Sequence, residues 1–121
     1  MFKMVFIVNT SLKMSAGKTS SQTAHAAVSL YIKAKQNNRK HMLFLNEIDT
    51  WVSLGQKKIV LKGLNDAQLV NLEKEATDSN LISVLVRDAG RTQISPGSLT
   101  CLGIFGSEKN LNKITSSLNL L

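Results

Sequence analysis

Two polar stretches of this 121-residue chain carry side chains whose types and spacing suit chemistry. In the first, SLKMSAGKTS, Gly17, Lys18 and Thr19 follow an apolar run and open a helical pattern. A lysine and a hydroxyl in that context end a phosphate-binding loop, G-x-x-x-x-G-K-[ST], whose backbone N–H groups wrap the phosphates. The first glycine of that pattern falls on Leu12, so the residue that lets the backbone wrap is missing. The second stretch is RDAGRTQISPGSLTCLGI, Arg87 to Ile104. It holds an acid (Asp88), an arginine (Arg91), several hydroxyls, Gly90, Gly97 and the sole proline, Pro96. A hairpin needs about 2–5 connecting residues. A longer, polar connection punctuated by Gly and Pro is a candidate ligand-binding loop. LISVLVRD also mimics the apolar strand and aspartate that hold magnesium in nucleotide hydrolases, but a chain this short lacks room for the rest of such a domain. That rival predicts magnesium-dependent nucleotide binding.

Other chemistries are poorly supplied. A Ser or Cys nucleophile needs a base, usually histidine, and the only histidines are His25 and His41. His25 alone lies near a polar cluster, where a helix residue hydrogen-bonded at the edge of the core is the plainer reading. Cys101 is the only cysteine and sits in an apolar run, as a small core residue would. One cysteine builds neither an internal disulfide nor a cysteine-based metal site, and it fits a reducing, cytosol-like compartment. No apolar run approaches the ~20 residues of a membrane span.

The elements that must position these groups follow from periodicity. KMVFIVNT is a continuous apolar run with β-branched and aromatic members, as expected of a strand buried on both faces. KTSSQTAHAAVSLYIKAKQ reads as a helix with Lys18, Gln22, His25 and Ser29 on one stripe, and with Ala24, Ala27, Tyr31 and Ala34 toward a core. HMLFLNEIDTWVSLG offers a second helix, burying Leu45, Ile48 and Val52, with Gly55 as its stop. KIVLK is a short strand. LNDAQLVNLEKEAT is a helix capped by Asn65, with Gln68 at the capping-box position and Leu64 and Leu69 spaced as a hydrophobic staple. LISVLV and LTCLGIF are two more strands, and SEKNLNKITSSLNLL closes the chain as an amphipathic helix through Leu111, Ile114 and Leu118.

Strands alternating with helices imply one α/β domain over residues 1–121, with a largely parallel sheet. No helix separates the last two strands, so that part is open to an antiparallel pairing. Ligands of open α/β sheets collect beyond the carboxyl ends of parallel strands. Parallel first and third strands would therefore set Lys18 and Asp88 across one site.

Charge points to the class of ligand. The net charge is +7. Residues 1–62 carry ten basic side chains against Glu47 and Asp49, whereas the remainder is close to neutral. A one-sided basic field steers polyanions.

Taken together, KMVFIVNTSLKMSAGKTSSQTAHAAVSLY, WVSLGQKKIVLKG, RDAGRTQISPGSLTCLGI and ITSSLNLL resemble the archaeal and eukaryotic (second) type of peptidyl-tRNA hydrolase over nearly the whole chain. DAGRTQIxPG is the long, specific part of the match. The resemblance implies a three-layer α/β/α sandwich on a four-stranded mixed β-sheet, and hydrolysis of the ester joining a peptide to the 3′ end of tRNA. It implies no metal or organic cofactor. The implied partner is peptidyl-tRNA rather than DNA or a membrane, in the cytoplasm. Monomer and homodimer stay open.

Position by position, the resemblance assigns the catalytic site to Lys18, Gln22, Asp88, Thr92 and Thr100. His25, Lys13, Arg91 and Gln93 also match, as do Gly90, Pro96 and Gly97. Of these residues Asp88 is the carboxylate placed to orient or deprotonate water. Lys18 would stabilise the oxyanion or hold Asp88 in place. A lysine so close favours the ionised carboxylate and weakens it as a base, which favours water orientation. Thr92 and Thr100 would hold water or substrate, and Gln22 the ester carbonyl or terminal adenosine. Lys13, Lys33, Lys35, Arg39 and Lys40, with Arg91 nearer the site, are candidates for tRNA phosphates.

The chain also departs from the pattern. Ser11, Ser15 and Ala16 stand where DLKMGKGK would put an acid, a glycine and a lysine; SSQT replaces AAQC; and IFGS replaces an IGP turn. Loss of a lysine at Ala16 removes positive charge near the site. The rival from another class is a catalytically idle homologue that binds RNA or protein, which a hydrolysis assay separates from an enzyme.

Overall fold

The computed structural model describes residues 1–36, 45–89, 95 and 97–121. Strand β1 (Phe2–Asn9) leads through a 3-10 turn (Thr10–Leu12) into helix α1 (Ala16–Lys35). Then come α2 (Leu45–Ser53), β2 (Lys58–Gly63), α3 (Asp66–Asp78), β3 (Ile82–Arg87), β4 (Leu99–Ser107) and α4 (Glu108–Thr115). The four strands form one mixed sheet in the order β2-β1-β4-β3. β1 pairs with β2 in parallel, and β4 runs antiparallel to both β1 and β3. Three strands thus point one way, yet only one neighbouring pair is parallel, because β4 is inserted between β1 and β3.

The apolar run of β1 is buried on both faces, as its composition requires. Met4, Phe6 and Val8 pack with Ala26, Leu30 and Ala34 of α1 and with Ile48 and Trp51 of α2. Val5 and Ile7 pack with Leu69, Leu72 and Ala76 of α3 and with Leu111 of α4. The result is a three-layer α/β/α sandwich with two helices on each face.

Several local expectations shift. α1 buries Ala26, Leu30 and Ala34, while Ala24 is exposed and Tyr31 is 38% exposed. The helix is rotated toward β4 because Gly103 offers a bare backbone there. A Cβ at Gly103 would lie 3.0 Å from Leu30 Cδ1 and 3.2 Å from Ala26 Cβ. In α2, Ile48 and Trp51 are buried while Val52 is exposed, since the Trp51 ring takes the core position edge-on to Phe105. The Leu45 side chain lies outside the described residues. Gly55, at φ 109°, ends α2 as expected, with Gly55 N–H donating to Val52 O and Gln56 N–H to Trp51 O.

Asn65 Oδ1 caps α3 by accepting from Gln68 N–H, and Gln68 Oε1 reaches back to accept from Leu64 N–H. The staple does not form: Leu64 is 69% exposed, because Leu69 packs over Gly63 instead. The closing helix is also shorter than expected. After Thr115 the chain turns, and residues 119–121 pair with the open edge of β2: Lys62 N–H donates to Asn119 O and Leu121 N–H to Val60 O. Backbone groups of an edge strand thereby find partners that a longer helix would not supply. No helix among the described residues is long and apolar enough to cross a membrane.

Candidate active site

β1 and β3 point the same way, so their carboxyl ends share one edge of the sheet. Asp88 is the first residue after β3. Its backbone is held by two hydrogen bonds that extend the hairpin: Asp88 N–H donates to Ser98 O, and Gly97 N–H to Asp88 O. Gly97 has φ +79°, a conformation that favours glycine. Arg87 Nη1 donates to the Gly97 carbonyl from the other side.

Lys18 approaches from the helix layer. Ser15 Oγ caps α1 by accepting from Lys18 N–H at 3.1 Å, which fixes the first turn. From there Lys18 Nζ donates to Asp88 Oδ1. Both side chains are nearly sealed from water, at 7% and 1% exposure. A cation in the first turn sits at the positive end of the helix dipole, and α1 carries no acid there. Asp88 therefore supplies both the counter-charge for the lysine and the anion that the helix terminus favours. The lysine is committed to a carboxylate, not poised over an empty phosphate cradle.

One turn further along α1, Gln22 Oε1 accepts from Thr100 Oγ1 at 2.6 Å. The same hydroxyl lies 3.1 Å from Val86 O. Lys18 and Gln22, four apart on one helix stripe, thus contact the end of β3 and the start of β4 in turn. With its carbonyl oxygen taken by Thr100, the Gln22 amide keeps its NH₂ for other partners.

The start of β4 is irregular, and that irregularity sets the position of Thr100. The β3–β4 register pairs Val86 with Cys101 but Arg87 with Leu99, so Thr100 is an extra residue, a β-bulge. Cys101 and Phe105 face α1, whereas Leu102, Ile104 and also Leu99 face α3 and α4. Strict alternation from Cys101 would turn Thr100 toward α3. The bulge turns it toward α1 and Gln22 instead.

The remaining residues marked by the sequence are scattered or lie beyond what is described. Thr92, Gln93 and Arg91 lie outside the described residues, as do Gly90, Pro96, Arg39, Lys40 and His41. Lys13 follows the 3-10 turn at φ +50°, exposed at the same sheet edge. His25 is exposed on α1 and makes no hydrogen bond or ion pair among the described residues. Lys33 is fifteen residues beyond Lys18 on the same helix, about 22 Å at 1.5 Å per residue, and donates to Ser83 O on β3. Lys35 pairs with Asp49, which raises its pKa through that hydrogen bond, and its ammonium lies 5.9 Å from the Tyr31 ring centre. These two lysines sit at the opposite end of α1 from Asp88. Cys101 is buried beside Thr100, and burial pushes its thiol up to about 12.

One residue escaped the sequence reading. Asn9 ends β1 fully buried, and every hydrogen-bonding position of its amide is used. Nδ2 donates to Leu99 O at 2.9 Å and to Asp66 Oδ1 at 2.7 Å, while Oδ1 accepts from Ser11 N–H and Ser11 Oγ. Its signal was present: an amide closing an otherwise apolar run must find partners.

The family model described as "Peptidyl-tRNA hydrolase PTH2" matches residues 2–121. A protein named peptidyl-tRNA hydrolase from Saccharolobus islandicus is 42% identical over 123 aligned positions, covering all of both chains. A probable peptidyl-tRNA hydrolase 2 from Caenorhabditis elegans is 43% identical over 119 residues, and the chain spans 36% of its length. The fold is similar to that of a solved protein of unknown function from Agrobacterium tumefaciens strain C58, with a TM-score of 0.61 at 10% identity over 99% of this chain and 97% of that one. With its whole length matched by the family and by relatives of the same size, the chain belongs to the peptidyl-tRNA hydrolase family of the second type.

Proposed function

We propose that this chain hydrolyses the ester between a peptide and the 3′ end of tRNA, releasing free tRNA for reuse in translation. The observation that carries the reading is the buried Lys18–Asp88 pair at the shared carboxyl edge of β1 and β3, in a chain that belongs to this family. Water adds to the ester carbonyl and the tetrahedral oxyanion collapses. The C–O bond to the ribose breaks as that oxygen takes one proton of the attacking water, and the other passes to solvent, giving a peptide carboxylate and a tRNA hydroxyl. Asp88, ionised beside an ammonium, accepts a hydrogen bond from the attacking water and orients it. Its closeness to Lys18 disfavours strong base catalysis. Lys18 fixes the carboxylate and offers positive charge to the oxyanion in a site where a charge is poorly screened. Gln22, with its NH₂ group, donates to the ester carbonyl or the terminal adenosine. Thr100 orients Gln22, and Thr92 holds water or substrate.

The tRNA is held by phosphate contacts. Lys13 and Arg91 are assigned nearest the reacting ester, and Lys33, Lys35, Arg39 and Lys40 along the body of the nucleic acid. Lys33 and Lys35 exchange their present partners for phosphate. His25 and Gln93 border the substrate. The reaction belongs in the cytoplasm, where translation supplies its substrate.

The test is turnover of N-acyl-aminoacyl-tRNA by the wild type, Lys18→Ala and Asp88→Ala. Loss of activity in both folded variants is expected, and unchanged rates in both would overturn the reading. Binding that does not weaken between ~50 and ~200 mM salt would contradict phosphate-dominated recognition.

A further inference from the structure

We infer that Asn9 is a positioning residue for the reaction: its amide holds the β-bulge that turns Thr100 toward Gln22. The inference rests on the hydrolase reading above and adds a residue to it.

The argument begins with the register. β1 pairs with β4 up to Val8 and Cys101, and there the backbone ladder stops. The peptide group that joins Leu99 to Thr100 lies beyond that pairing and inside the bulge. Its carbonyl is taken by the Asn9 side chain at 2.9 Å. A bulge leaves one residue without its ladder partner, so without Asn9 that peptide plane would be free to rotate. Rotation would carry the Thr100 hydroxyl away from Gln22 Oε1, which now lies 2.6 Å from it.

The other half of the amide faces the loop after β1. Asn9 Oδ1 accepts from Ser11 N–H and Ser11 Oγ, which sets the turn that ends at Lys13. One buried side chain therefore ties the β4 bulge to the turn carrying the lysine assigned to the tRNA. Among the described residues its side chain hydrogen-bonds to neither Lys18 nor Asp88, and it acts through Thr100, Gln22 and Lys13.

The contact to Asp66 makes a purely structural role separable. Asn9→Asp places a carboxylate against Asp66 Oδ1 and Leu99 O, and is expected to destabilise the protein. Asp66→Asn alone leaves an acceptor for Asn9 and is expected to behave like the wild type. The combination N9D/D66N restores a donor–acceptor pair between positions 9 and 66 but leaves Leu99 O without its donor.

The full chain carrying each change is measured by urea unfolding, by kcat and KM on N-acyl-aminoacyl-tRNA, and by NMR exchange of the Gln22 side-chain amide. The expected result for N9D/D66N is stability partly recovered relative to Asn9→Asp, kcat still down about tenfold, the loss of one hydrogen bond's worth of positioning, KM within about twofold, and faster Gln22 exchange. Recovery of kcat together with stability overturns the inference, as does unchanged Gln22 exchange. A wild type without hydrolase activity sinks the functional reading instead, and the Gln22 exchange then still decides whether Asn9 holds the bulge.

Discussion

The most discriminating perturbation neutralises both halves of the Lys18–Asp88 pair. With exposures of 7% and 1%, neither group is hydrated enough to stand alone. Asp88→Asn strands a buried ammonium in the first turn of α1, and Lys18→Met takes the ammonium away from a buried carboxylate. Each single change is expected to cost about 3–5 kcal/mol of stability, the usual consequence of breaking a buried ion pair by removing one partner. For a chain of this size, with about 5–15 kcal/mol in total, both variants remain mostly folded but with clearly lower urea midpoints. The double variant Lys18→Met/Asp88→Asn carries no stranded charge. Removing both ions avoids the desolvation that the pair itself suffers, so the double is expected to be more stable than either single. Activity should behave differently. If the carboxylate orients water and the ammonium faces the oxyanion, turnover of N-acyl-aminoacyl-tRNA stays down by about 10²–10⁴ in all three variants, the double included. A pair that only pins two loops predicts the reverse, with activity returning as stability returns. A double variant with a near-native urea midpoint and turnover within tenfold of the wild type would refute the mechanism.

Three further outcomes are expected. Gly103→Ala puts a methyl 3.0 Å from Leu30 Cδ1 and 3.2 Å from Ala26 Cβ; the overpacking should cost about 1–3 kcal/mol by thermal unfolding and lower turnover by lifting α1, which carries Lys18, from β4. Lys13→Gly removes a side chain from a left-handed backbone position (φ +50°), so stability should hold or rise by about 1 kcal/mol, while the slope of log K against log salt for tRNA should shrink by about 1. Cys101 should resist thiol reagents in the native state at pH 8 and react on unfolding. Its thiol is raised from 9.0 to about 12 by burial, so its contribution to stability is complete below pH 9 and lost as pH rises through about 12. That contribution is about 4 kcal/mol at 1.36 kcal/mol per unit, and Cys101→Ala should flatten the alkaline limb of an unfolding profile by a comparable amount.

The parts of this structure legible in the sequence are those governed by short-range pattern. The doubly buried β1, the Asn65 cap and the Gly55 stop all follow from local composition, and the resemblance supplied the layer order. The meeting of Lys18 with Asp88 was readable as well, because parallel strands bring their carboxyl ends to one edge. What failed depended on tertiary fit. The rotation of α1 is set by Gly103, seventy-seven residues beyond Ala26, and no periodicity within the helix reports it. Trp51 displaces Val52 from the core because of a ring contact with Phe105. The last turns of the expected closing helix lose to an open strand edge on β2. The bulge at Thr100 was invisible for a deeper reason. A bulge is a mismatch between two strands, so it belongs to neither sequence segment alone.

That mismatch also explains why a buried amide stands at the end of β1. An unbroken β4 would need no side chain at position 9, since backbone pairing would continue past Val8 and Cys101. It would also direct Thr100 into the α3 layer, away from Gln22. Turning the hydroxyl to the α1 side requires the register slip. The slip opens one carbonyl, at Leu99, and a buried carbonyl without a donor is costly. An amide at position 9 has the reach and the second donor to close the gap while its oxygen holds the loop that leads to Lys13. Alanine there would take the side-chain donor from Leu99 O and leave Ser11, which is exposed, to water. The chemistry assigned to Lys18 and Asp88 is therefore flanked by amide and hydroxyl hydrogen bonds, and the residue that holds Thr100 against Gln22 is one that resembles neither an acid, a base nor a nucleophile.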